Sequence, residues 1–237
     1  MFQRVEILLS YAEGHHVSFR NVHLYGQKFD FHLDPPTREG AHTSTAPRVK
    51  PNQTIPFVHL ALERLESMEV QTAELLLGAV EWASEPMFTE HAASETRFLN
   101  LWVAFEHLAA LGEKVRATGI IPEEEWNQFR DRVSELVGTS NWGEPTRRLI
   151  LNRLHQLKAP TVSERLAVLN TAAGSPLAES ALGEIAAYRN GLQHEPWNFP
   201  VQPSALLSNF EELTSASIMV TLGLNPAEYL HRVASQA

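Results

Sequence analysis

An arginine, an asparagine and a histidine share the stretch AAYRNGLQHEPWNFP, residues 186–200. Arg189 and His194 are five positions apart. On an α-helix that sets them about 140° apart around the axis and about 7.5 Å along it. They do not stack on one stripe, yet both can flank a groove. Glu195 precedes Pro196, which disfavours helical geometry there and leaves His194 in the last turn. The helix dipole favours a protonated imidazole at that end. RNA carries its own nucleophile, the 2′-hydroxyl. A histidine can move protons to or from that hydroxyl near neutral pH. An arginine can neutralise the phosphate and hold two of its oxygens. Asn190, beside the arginine, can orient the phosphate or the imidazole. The set is a chemically sensible minimum for RNA cleavage without a metal. It is also half a site, because two catalytic groups have to stand on opposite sides of the phosphate.

The plain alternative is a polar last turn of an ordinary helix, and spacing alone does not decide. Arg148 and His155, in RRLILNRLH, form a comparable pair without the asparagine or the tyrosine. Their seven-residue offset puts both on one helical face, which reads as solvated surface. Arg20 and His23, in RNVH, fall in a predicted strand.

Other chemistries find less support. The chain has no cysteine, which excludes disulfides, zinc-thiolate sites and cysteine nucleophiles. His15, His16, His23 and His32 are scattered, with no HExxH pattern, so no metal or other cofactor is expected. There is no Gly-rich phosphate loop and no GxSxG elbow. A formal charge of −9 argues against a broad electrostatic grip on nucleic acid but leaves room for a small basic site. Arg147, Arg148, Arg153, Lys158 and Arg165 read as an RNA-facing stripe or, more simply, as a solvated helix face. Trp197 and Phe199 can stack on a base or cover the end of a bundle. No signal-peptide pattern and no membrane-length apolar run occur, which predicts a soluble, cytoplasmic protein without membrane contact.

The elements that must position these residues are mostly α. Residues 3–33 are rich in β-branched and aromatic residues, with Gly14 and Gly26 as turns, and predict two or three short strands. Residues 34–56 read as a linker, so the division is a β-rich N-terminal segment and linker over 1–55 and a helical bundle over 56–237. Helical spacing runs through FVHLALERLESMEVQTAELLLGAVEWA. In the helix near 92–117, Phe98, Leu101, Trp102, Phe105, Leu108 and Ala109 follow one buried face. Pro122 and three glutamates open a helix with the apolar stripe Trp126, Phe129, Val133 and Leu136. Thr161 and Glu164 form a capping box. Leu182, Ile185 and Leu192 can share an apolar face in the motif helix. The sum is an all-α bundle of six to eight helices with a small β-rich N-terminal part.

YRNGLQH resembles the Arg-polar-(several residues)-His motif that the HEPN superfamily carries near the end of a late bundle helix. RFLNLWVAFEHLAAL, residues 97–111, is similar to the early core helix of the Apea-like HEPN group, aromatic and aliphatic residues followed by a glutamate. The resemblance covers about residues 56–235. It implies a HEPN-like bundle, a homodimer with a composite cleft, and metal-independent endoribonuclease activity. Such proteins act in toxin–antitoxin, abortive-infection and other antiviral systems, which implies RNA as substrate and an antitoxin or regulatory partner. Carried over, Arg189 stabilises the phosphate, His194 is acid or base, and Asn190 supports them. Tyr188 packs or hydrogen-bonds at the helix edge. Glu106 either contacts the motif helix from the core or is a surface glutamate. The net charge fits a second reading, a non-catalytic HEPN-like RNA- or protein-binding module.

Overall fold

A computed structural model describes residues 2–14, 21–25, 28–32, 47–84, 94–115, 123–156, 160–174, 176–194 and 203–231; of some of these, His194 among them, it describes the backbone alone. Ten α-helices occur among the described residues. The expected bundle is therefore present, with more helices than the periodicity separates.

The expected β-rich N-terminal segment is not supported among the described residues. Phe2–Glu13, in which a strand was predicted, is helix α1. Its β-branched and aromatic content is overridden by packing: Leu8, Tyr11 and Ala12 sit in the main core. Gly14, at φ 69°, ends the helix, and its N–H bonds the Ser10 carbonyl at 3.1 Å. A single antiparallel ladder follows, β1 (Asn21–Tyr25) with β2 (Lys28–His32), Asn21 opposite His32. Two strands of that length do not make the segment β-rich. Most of the predicted linker, residues 34–46 of 34–56, lies outside the described residues.

The long helical run resolves into α2 (Thr54–Ser67) and α3 (Val70–Ser84). No proline or glycine marks the break. Met68 is extended (φ −85°, ψ 158°), and the Ser67 hydroxyl donates to the Arg64 carbonyl at 2.7 Å. Helix α4 (Ser94–Val115) is the axis of the core. Its six predicted face residues are all buried, against α3 and α9. Where α3 presses on α4, a Cβ on Gly78 would lie 2.5 Å from His107 Nδ1, so the close approach requires glycine.

Helices α5 (Glu123–Thr139) and α6 (Glu144–Gln156) pack on each other as a hairpin. Trp126, Val137 and Leu154 are buried within it but are not part of the main core cluster. Helix α7 (Val162–Ala172) opens on the predicted capping box, Thr161 N–H to Glu164 Oε2 at 2.6 Å and Glu164 N–H to Thr161 Oγ1 at 3.3 Å. Helix α8 (Glu179–His194) carries the motif, and α9 (Pro203–Thr221) and α10 (Pro226–Tyr229) complete the bundle. Around Val49 the chain pairs with the segment after α10: Lys50 N–H reaches the Tyr229 carbonyl at 2.8 Å and His231 N–H reaches Arg48 at 2.7 Å.

Candidate functional site

The motif helix is set by the turn before it. Asn170, buried at the end of α7, donates from Nδ2 to the Leu177 carbonyl at 2.9 Å and accepts the Leu177 N–H at 3.1 Å. That double bond fixes where α8 leaves α7. Leu182, Ile185 and Ala186 then enter the core, and Leu192 is half-buried against it.

The next inward residue is Tyr188. Its ring meets Phe98 of α4 edge to face, with centroids 4.7 Å apart. Burial, and then the charge of Glu95, hold its hydroxyl above the ordinary tyrosine range. The phenol therefore stays protonated well above neutral pH.

Arg189 follows on the same flank. Its guanidinium lies over the Trp102 ring at 5.5 Å, one turn of α4 beyond Phe98. Nη1 also donates to Asn190 Oδ1 at 3.2 Å. Trp102 is itself wedged between Phe98, Phe105 and Phe210, so it is a fixed platform. Arg189 as a residue is half-buried and Asn190 is exposed. A planar cation resting on an indole face keeps donors free at its edge, the geometry that suits a phosphate.

His194 is the last residue of α8. Its side chain lies outside the described residues, as do His15, His16, Lys158, Trp197 and Phe199. Of His23 and His32 only the strand backbone is described. The helix places His194 about 1.4 turns past Arg189.

Glu106 is engaged elsewhere. Arg165 of α7 donates from Nη2 to Glu106 Oε2 at 2.5 Å and lays its guanidinium over Phe105 at 5.4 Å. The pair ties α4 to α7, and the carboxylate's described partner is on α7 rather than on the motif helix. Phe98, Trp102 and Phe105 form one stripe of α4, so Arg189 and Arg165 cover consecutive rings of it from two neighbouring helices.

Described members of the basic run are engaged in different places. Arg147 caps the α5 end through the Ser140 carbonyl at 2.6 Å, and Arg148 makes an exposed pair with Glu144 at 3.9 Å. Arg165 is in the bundle. Among the described residues no three His, Asp or Glu side chains gather as metal ligands, and no helix is long and apolar enough to cross a membrane.

Sequence reasoning placed Trp102 in the core and missed its second task under Arg189. The available signal was its position in RFLNLWVAFEHLAAL, the segment paired with the motif. Arg165 was visible only as a member of the basic run. In comparison with known proteins, the chain matches no family model, no curated protein and no solved structure.

Proposed function

We propose that this chain is a metal-independent endoribonuclease of the HEPN type, with a site completed by a second copy. The observation that carries the reading is Arg189 held on Trp102, beside Asn190, on the helix that ends in His194. In the proposed reaction a histidine takes the proton of a ribose 2′-hydroxyl. The 2′-oxygen attacks the adjacent phosphorus, and the bond from phosphorus to the 5′-oxygen breaks. The leaving oxygen takes a proton from a second acid. The products are a 2′,3′-cyclic phosphate and a 5′-hydroxyl end, so atoms and protons balance without water or metal. Arg189 neutralises the charge that builds on the two non-bridging oxygens. One chain supplies one His194, which is why a second copy is part of the proposal.

The setting proposed is cytoplasmic antiviral defence or a regulated toxin, restrained by an antitoxin or another regulatory partner. The measurement is cleavage of a mixed RNA pool with EDTA present. Wild type is expected to cut, with Arg189→Ala and His194→Ala each at least about 100-fold slower while folded, the scale of one lost catalytic group. Equal cutting by all three would remove the site. RNA binding without cleavage by wild type would favour the non-catalytic module instead. Growth arrest on expression, relieved by His194→Ala, tests the toxin role.

A further inference from the structure

The α5–α6 hairpin carries apolar surface that the described residues leave open. Phe129, Leu136 and Leu149 are 47, 68 and 59% exposed. Phe129 and Val133 of α5 and Leu149, Ile150, Arg153 and Leu154 of α6 line one groove of about 380 Å³. Two helices make one layer, and a helix layer buries its apolar stripe against a second layer.

Charge decides what second layer fits. Helix α5 carries Glu123, Glu124, Glu125, Asp131 and Glu135 against Arg130 and Arg132, a net −3. Helix α6 carries Arg147, Arg148 and Arg153 against Glu144, a net +2. The hairpin is an acidic rod beside a basic rod. A second copy can be laid on it by a twofold axis in two ways. An axis across the helices seats α5 on α5 and α6 on α6, like charge on like. An axis along them seats each α5 antiparallel on the other copy's α6, with opposite charges facing. The product of the second is a four-helix bundle with its apolar stripes inside.

We infer that the chain self-associates through the α5–α6 hairpin, α5 of one copy lying antiparallel on α6 of the other. The argument stands on this surface alone. It is independent of the ribonuclease reading, whose residues lie on α8, and the two can fail separately.

Light scattering on the full chain tests it. At micromolar concentration, wild type is expected at twice 26.6 kDa. The double variant Phe129→Asp/Leu149→Asp is expected at half the wild-type mass with the same helical circular dichroism. A monomeric wild type, or a dimer untouched in the folded double variant, overturns the inference. A second route does not depend on that variant folding. The chain has no cysteine, so Val133→Cys and Leu149→Cys proteins can be mixed and oxidised. Disulfides joining 133 to 149 between copies are expected to predominate. A predominance of 133–133 and 149–149 products overturns the antiparallel seating. RNA cleavage by the same samples separates the two readings. A monomeric double variant that still cuts keeps this interface and removes the composite site. A wild-type dimer that cuts nothing keeps the interface and removes the ribonuclease.

Discussion

Helices α4 and α5 carry apolar stripes of the same kind and meet different fates. In α4, Phe98, Leu101, Trp102, Phe105, Leu108 and Ala109 are all buried, among α3, α9 and side chains from α7 and α8. In α5, Trp126 is buried and Val133 half-buried, while Phe129 and Leu136 face outward. The patterns are equally regular. What differs, among the described residues, is the supply of neighbours: ridges reach α4 from several sides, while α5 packs chiefly on α6. A stripe in sequence says which face needs cover and is silent about what provides it.

The contrast can be broken most forcefully at Phe105. It is fully buried, so Phe105→Ala is expected to cost about 3–5 kcal/mol in urea unfolding. A loss under about 1 kcal/mol would mean that α4 is no better covered than α5. The contact on the other side of α4 comes next. Gly78→Ala drives a Cβ into the His107 ring and is expected to cost about 1–3 kcal/mol, with much of that recovered on adding His107→Ala. No recovery would place the strain elsewhere. Thr161→Ala removes the cap that opens α7, at about 1 kcal/mol; an unchanged unfolding midpoint would show the cap to be idle. In α5, Phe129→Ser is expected to shift monomer stability by only about 0.5 kcal/mol when measured at dilution. A larger loss would show hidden cover over that face.

Alkali offers a gentler comparison. Tyr188, packed on the α4 stripe, has its hydroxyl raised by burial. The unfolded chain then ionises first, near the ordinary tyrosine value of about 10. This contribution is whole below that pH and is lost as the pH rises through the higher folded value. Unfolding followed from pH 8 to 11 should decline less steeply for Tyr188→Phe; identical slopes would reject the assignment.

What could be read in advance was local. The α4 face, the opening of α5 behind Pro122, and the Thr161–Glu164 box depend on residues within a few positions of one another. Helix α1 was not legible, because VEILLSYAE has the composition of a strand and becomes helical where Leu8 and Tyr11 pack into the bundle. The break at Met68 was not legible either, since no breaker marks it. At the candidate site, the order Tyr188, Arg189, Asn190 along one helix was visible, as was Tyr188 as a packing residue. The indole under Arg189 and the arginine on Glu106 were not. Those partners come from other helices, Arg165 from 59 positions away, and periodicity carries no information at that range.

The pairing of residues 48–50 with 229–231 has a temporal side. Lys50 Nζ also reaches the Ala227 carbonyl at 2.7 Å, across 177 positions of chain. Closing so long a loop costs entropy before any contact repays it, so this seam is expected to form late in folding. Val49, fully buried there, makes it a seal rather than a surface stitch. Amide hydrogens at Lys50 and His231 are thus expected to serve as a clock for the bundle, exchanging with solvent once the ends part while those of α4 stay protected; equal exchange at both would reject it.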